Sequence, residues 1–373
     1  MDLVANLELG FAVAFSLKNL AYCFLGVTLG TLIGVLPGIG PVATIAMLLP
    51  ITFNLPPESA LIMLAGIYYG AQYGGSTSAI LVNIPGEASS VVTAMEGYQM
   101  ARQGRAGAAL SIAAIASFFA GCVGTLLIAA FAPPLASLAF KFGPPERCSL
   151  YVLGLVAAVV LAHGSLIKAL AMIVLGLLLG IIGTDVTSGT QRYTFGIANL
   201  SDGISFAIVA MGMFGIAEII RSLEIGTKRE VFTSSLSGLW PTRADLRASW
   251  KAILRGTGLG SLLGILPGGG AVLGSFASYT LEKKLAAPSS NFGKGAIQGV
   301  AGPEAANNAA AQTSFIPMLT LGIPSNPVMA LMVGAMIIQG IQPGPQVMTQ
   351  RPELFAAAVP AVAPSPWHPE RRS

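Results

Sequence analysis

Two segments of this sequence set hydrogen-bonding side chains among glycines and alanines. YYGAQYGGSTSAILVNIPGEAS, residues 68–89, carries Gln72, Ser76, Thr77, Ser78, Asn83 and Glu87. GPEAANNAAAQTSFIPMLTLGIPSNP, residues 302–327, carries Glu304, Asn307, Asn308, Gln312, Thr313, Ser314 and Asn326. Each runs through a Thr-Ser pair to an Ile-Pro break, Ile84-Pro85 and Ile323-Pro324, with unequal spacing from pair to break. Amides and hydroxyls buried among small apolar residues are costly unless partnered, so they either bind helix to helix or receive a ligand. A carboxylate is the natural guest, because helix N-termini, free backbone amides and hydroxyls hold an anion without a buried lysine. Side-chain oxygens and unwound carbonyls would hold a sodium ion; alternatively Glu87, Asp185 or Glu304 would carry a proton. The residue types leave that choice open, and Asp185, in GTDVTSG, reads equally as a helix cap.

The elements that position these groups are marked by a duplicated motif. GVTLGTLIGVLPGIG, residues 26–40, returns as GTGLGSLLGILPGGG, residues 256–270, with nine of fifteen positions identical. Gly26, Gly30 and Gly34, and again Gly256, Gly260 and Gly264, line one helix face and allow another backbone to approach. Pro37 and Pro267 then stop the helix, and Gly38, Gly40, Gly268 and Gly270 permit a broken backbone. At membrane depth such a break is tolerated only against protein or a wet cavity, so Gly38, Gly40, Gly268 and Gly270 join Ser76, Thr77, Ser78, Asn83, Asn307, Asn308, Thr313 and Ser314 as candidate substrate-binding positions. A corner with no ligand contact is the alternative for one copy alone. GIGPVA also fits a dinucleotide fingerprint on paper, but it follows an apolar helix rather than a strand.

Composition sets these motifs in a bilayer. Apolar residues make up 54% of the 373, charged residues 10%, and the mean hydropathy is +0.73, against about 25% charged in an ordinary globular chain. Apolar runs at 11–33, 59–82, 106–132, 148–161, 166–182, 203–220, 253–266, 314–323 and 328–338 predict an all-α polytopic membrane protein. Several runs are short, as half-helices and re-entrant segments are.

The net charge of +4 is explained by position. Arg221, Lys228, Arg229, Arg243, Arg247, Lys251 and Arg255 crowd the polar stretch between the halves, which the positive-inside rule makes cytoplasmic. Nucleic-acid binding is not called for. The expected organisation is a first membrane repeat with connecting spans (1–220), a basic cytoplasmic linker (221–250), a second, incomplete repeat (251–355) and an atypical Pro-rich tail (356–373). More basic residues precede the second repeat than the first, which points to opposite insertion and an inverted pair. No basic n-region precedes the first apolar run, so that span is expected to stay. Cys23, Cys122 and Cys148 match no metal or disulfide spacing and read as packing.

LPGIGPVATIAMLLP, GIYYGAQYGGSTSAILVNIPGEASSVVTAMEGYQMARQGRAGAAL, LAHGSLIKALAMIVLGLLLG, LPGGGA, GPEAANNAAAQTSFIPMLTLGIPSNPVMALM and GIQPGP, in that order, resemble the large membrane subunit of the tripartite tricarboxylate transporters, the TctA family. The resemblance runs to about Phe355. It implies a secondary transporter of the bacterial inner membrane that takes tricarboxylates or related small carboxylates from a periplasmic solute-binding protein, works with a small membrane subunit and is driven by an ion gradient. It also implies that Pro37–Gly40, Pro267–Gly270, Asn83–Glu87 and Asn307–Ser314 form the transport core. Family members continue past the GIQPGP region with further spans, whereas here Pro360, Pro364, Pro366 and Pro369 interrupt any helix, so a truncated product is expected.

Other functions fit less well. An intramembrane enzyme needs a compact set of acids, histidines or an activated nucleophile, and the sequence offers no HExxH, GxSxG or paired acidic motif. No cofactor or metal is called for beyond a coupling Na+ or H+. An anion channel uses the same broken helices, and a non-transporting structural subunit would not need polar residues in both repeat cores.

Overall fold

The computed structural model describes residues 11–36, 39–139, 165–184, 190–201, 240–266, 270–286 and 291–347, with scattered positions within 140–164 and 202–220. Among the described residues the regular elements are helical, apart from a two-residue antiparallel pairing of Gly183–Thr184 with Gln191–Arg192. The all-α class expected from the sequence is therefore found.

Helix α1 (Leu17–Gly34) leads to α2 (Pro41–Leu48) across the LPGIG break, and α3 (Pro57–Val82), α4 (Val91–Arg102) and α5 (Ala106–Ala139) follow. After α6 (Leu166–Gly180), the second glycine-marked helix is α7 (Arg243–Gly264), followed by α8 (Gly270–Leu285), α9 (Gln298–Thr313), α10 (Phe315–Leu321) and α11 (Pro327–Ile338). Two of the described helices, Leu17–Gly34 and Ala106–Leu138, are long and apolar enough to cross a bilayer. At 1.5 Å per residue α5 extends about 50 Å, well beyond a hydrocarbon core of ~30 Å. Helix α3 has the length as well, but its glycines and polar side chains are buried inside the protein. The run at 148–161 lies largely outside the described residues, and that at 203–220 is described in pieces, Met211–Ile216 among them.

The glycine ridges do what their spacing predicts. A Cβ at Gly26, Gly30 or Gly34 would collide with the carbonyl oxygens of Met63, Ile67 and Ala71 on α3. On α7, a Cβ at Gly256, Gly260 or Gly264 would collide with the carbonyls of Gly302, Ala306 and Ala310 on α9. Both ladders climb one turn at a time, so α1 meets α3, and α7 meets α9, backbone to backbone.

Beyond these ladders the two halves continue in step. Helix α3 ends at Asn83 with φ 56°, and α10 ends at Gly322 with φ 71°; an Ile-Pro pair follows each. A Cβ on Gly40 would lie 3.0 Å from the Gly86 carbonyl and 3.3 Å from Glu87 Cβ, and one on Gly270 would lie 3.3 Å from Asn326 Nδ2. Each break after a glycine ridge thus rests on the break after the next long helix. In this register Thr313 and Ser314 match Gly74 and Gly75, so the two Thr-Ser pairs sit on different turns. The interruption between α9 and α10 has a local cause: Pro317 has no amide hydrogen for the Thr313 carbonyl, and its ring crowds it.

The core forms two apolar clusters. Ile45, Leu64, Ile67, Ile128, Ile316, Leu319 and Met332 join α2, α3, the end of α5, α10 and α11. Ile80, Met100, Ile112, Ile253, Ile297 and Val300 join α3, α4, the start of α5, α7 and α9. Helix α9, buried from Gly299 to Thr313, runs through the middle and brings its polar side chains against α3, α4 and α5.

Candidate functional site

Glu304 is the centre of the polar layer. It is 1% exposed, and three helices each send it a hydroxyl: Ser76 of α3 donates to Oε1 at 2.8 Å, Thr93 of α4 to Oε1 at 2.5 Å and Ser117 of α5 to Oε2 at 3.5 Å. Asn308 donates to Ser117 Oγ at 2.7 Å and to the Glu304 carbonyl at 3.0 Å, which orients that hydroxyl toward the carboxylate. One turn along α9, Gln72 donates to Asn307 Oδ1 at 2.5 Å, and Asn307 Nδ2 donates to Glu87 Oε1 at 3.3 Å. Ser89 closes this chain with a hydroxyl to Glu87. Among the described residues no lysine or arginine pairs with Glu87 or Glu304. The Glu304 oxygens thus meet hydroxyl donors and, among the described residues, no countercharge.

Two acceptors in this layer have no partner among the described residues. Gln72 Oε1 and Gln312 Oε1 are buried without a hydrogen bond, although Gln312 Nε2 donates to Thr125 Oγ1 at 2.7 Å. Natural structures rarely leave such groups unmet, since each costs about 1–3 kcal/mol, and a ligand would relieve that cost. A cavity of about 400 Å3, lined by Ala88, Val91, Val272, Leu273 and Phe276, lies beside Glu87 and the start of α8. Its volume suits a small organic molecule.

The sequence candidates divide on this geometry. Ser76, Glu304 and Asn308 meet in one hydrogen-bonded cluster, and Asn307 and Glu87 in a second, one turn along α9. Ser314 lies apart from both, donating to the Gly264 carbonyl at 3.0 Å and accepting from Asn326 Nδ2 at 3.1 Å. Gly40 caps α2, its carbonyl accepting both the amide and the hydroxyl of Thr44, and Gly270 holds φ +44° beside Asn326. Three others turn away from both clusters. Thr77 donates to the Tyr73 carbonyl, Ser78 to that of Gly75 and Thr313 to that of Ala309, while Asn83 is an exposed left-handed cap. Gly38, Gly268 and Asp185 lie outside the described residues. Sequence reasoning missed Thr93, Ser117 and Thr125, lone hydroxyls in helices whose sequences give no sign that they face a carboxylate.

A second buried carboxylate frames the site. Glu96 of α4 accepts from Tyr279 Oη at 2.8 Å and from the amides of Gly293, Gly295 and Ala296 at 2.5, 2.9 and 2.9 Å. It pins the loop ahead of α9 to the first half of the chain. Arg255 grips Glu282 through two nitrogens at 2.7 and 2.6 Å, a bidentate pair joining α7 to α8. Arg105 reaches Asp245 at 2.5 Å, and Thr242 completes a capping box with the same carboxylate. Burial raises the Asp245 carboxyl, but hydrogen bonds from Arg105 and Thr242 outweigh it and hold the group below the usual aspartate range.

The family model described as "Tripartite tricarboxylate transporter TctA family" matches residues 20–363. The chain belongs to the TctA family. A relative from Agrobacterium vitis, described as an uncharacterized 52.8 kDa protein in the TAR-I ttuC' 3' region, is 62% identical over 355 residues, covering 95% of this chain and 71% of the relative. Another from the same organism, an uncharacterized protein in the TAR-II ttuC' 3' region, is 72% identical over 96 residues, covering 26% of this chain and 40% of that protein. No solved structure matches. TctA proteins are membrane components of tripartite transport systems, which generally include a binding protein and a small subunit.

Proposed function

We propose that this TctA chain is the permease subunit of a binding-protein-dependent secondary transporter that imports tricarboxylates or related small carboxylates across the bacterial inner membrane. The observation that carries the proposal is the chain Gln72–Asn307–Glu87, with Glu304 beside it, strung between two halves that are each broken at a glycine-proline motif. The halves, 1–220 and 251–355, act as repeats inserted in opposite senses, and 221–250 lies in the cytoplasm. Their broken backbones supply amide donors for the substrate carboxylates, as half-helix ends do in transporters.

The two acidic side chains, Glu87 and Glu304, support coupling to a cation. Glu87 and Glu304 repel an incoming anion in a medium where opposite or like charges interact strongly. A carboxylate therefore enters together with cations, and Glu304, with its three hydroxyls, is the group that carries one of them. Import is then symport: the cation gradient drives the substrate inward, and an empty site without its cation is a poor binder.

The test is uptake of labelled citrate and other small carboxylates into proteoliposomes containing the chain, its small subunit and its binding protein. Saturable accumulation against a gradient, dependent on imposed sodium or pH, is expected. Unsaturable flux that only follows the substrate gradient would replace this proposal with an anion channel. Absence of flux under either gradient would favour a structural subunit.

A further inference from the structure

A cavity with a charged lining lies where α7, α8 and the loop ahead of α9 meet, on residues other than those of the Glu304 and Glu87 clusters. It encloses about 470 Å3 and is lined by Arg105, Lys251, Arg255, Glu282, Asn291 and Gln298, among others. Its cations are unequally committed. Arg255 is held by Glu282 and Arg105 by Asp245, yet the two arginine side chains remain 36% and 41% exposed. Lys251 has no ion pair or hydrogen bond among the described residues. The lining thus carries three positive groups against one carboxylate, and the side-chain amides of Asn291 and Gln298 add neutral donors. Backbone amides of the adjacent loop are unavailable for an anion, because those of Gly293, Gly295 and Ala296 already serve Glu96.

The position of this cavity on α7 indicates the source of the anion. At about 100° per residue, Lys251 and Arg255 lie along one side of a stripe formed by Leu246, Trp250 and Leu254, all exposed. Trp250 packs edge-on against Phe119 with ring centroids 5.3 Å apart. An exposed indole within an apolar stripe, beside basic residues, is the arrangement found where a helix leaves the hydrocarbon region. We infer that this cavity binds the phosphate of an anionic phospholipid, with Trp250 at the headgroup level and the acyl chains lying along Leu254 and Leu262, exposed further down the helix. Lys251 is the main contact, and the exposed faces of Arg105 and Arg255 assist. The inference rests on membrane residence and not on the transport proposal.

The test uses the full chain in nanodiscs of phosphatidylcholine, with or without phosphatidylglycerol, reading thermal stability and the lipid retained after purification. Phosphatidylglycerol should raise the melting temperature and be retained preferentially. Lys251→Gln should lower that retention by about fivefold, whereas Lys284→Gln, outside the cavity, should leave it unchanged. Equal behaviour in the two lipids, or full retention by Lys251→Gln, would overturn the inference. So would an equal thermal shift from inorganic phosphate in phosphatidylcholine discs that is lost in Lys251→Gln, since the anion would then be a soluble phosphate. None of these readouts requires transport, so a failure of the uptake experiment leaves the result interpretable.

Discussion

Substituting alanine at two glycines of one helix, Gly260 and Gly258, should have opposite effects. A Cβ on Gly260 would drive into the Ala306 carbonyl oxygen and lie 2.6 Å from Ala306 Cα and 2.7 Å from its carbonyl carbon. Carbon atoms rest at roughly 3.5–4.0 Å, so α7 and α9 would have to separate by about 1 Å. The obstruction is backbone, which no rotamer change can clear. Overpacking of this kind costs about 1–3 kcal/mol. Gly258 has nothing within 4 Å of the same added atom, and there alanine gains about 0.5–1 kcal/mol from helix propensity. The two variants should therefore differ by roughly 1.5–4 kcal/mol, read as unfolding of the purified protein in mild detergent by denaturant titration. Gly30→Ala, which meets α3 in the same way at Ile67 and Ala71, should track Gly260→Ala. Equal stability of Gly260→Ala and Gly258→Ala would refute the backbone-to-backbone packing.

Three other changes test separate contacts. Glu96→Gln leaves an amide facing two of the donors that now meet a carboxylate, and should cost about 2–4 kcal/mol and expose the 291–297 loop to limited proteolysis. Asp245 is ionised more readily in the folded protein than in the unfolded chain. Its contribution is therefore full above the ordinary aspartate value of about 3.9 and is lost as pH falls through the lower folded value. Asp245→Asn should remove that acid-dependent step from a stability-versus-pH curve and leave the slope near neutrality alone. Glu304→Gln keeps the size and most hydrogen bonds of the side chain but not its charge. It should fold normally and lose gradient-driven uptake, whereas normal cation dependence in this variant would remove Glu304 from the coupling step.

Much of this architecture was legible because backbone rules write themselves into small residues. A glycine every fourth position announces a close helix contact whatever the partner, and both ridges met carbonyl ladders as their spacing required. The Ile-Pro breaks were equally plain, since proline limits the residue before it. The partners were not legible. Nothing in IASFFAG distinguishes the Ser117 hydroxyl, aimed at Glu304, from Thr77, whose hydroxyl bonds to its own helix; a helical Ser or Thr has that local option always open. The pairing of Gln72 with Asn307 depends on how α3 and α9 rotate about their axes, and that rotation is set by contacts far apart in sequence. Glu96 gave no signal because its partners are mostly backbone amides, which every residue but proline has.

The central claim is that the Gln72–Asn307–Glu87 chain is part of the carboxylate site, and the most direct measurement compares uptake by Asn307→Ala with uptake by Thr77→Val in the reconstituted three-component system. Both residues lie in the polar segments, but Asn307 links the two halves while Thr77 bonds only to the Tyr73 carbonyl of its own helix. The account predicts that Asn307→Ala abolishes saturable uptake, with normal assembly, and that Thr77→Val transports at close to the parental rate. Equal activity of the two variants would contradict it.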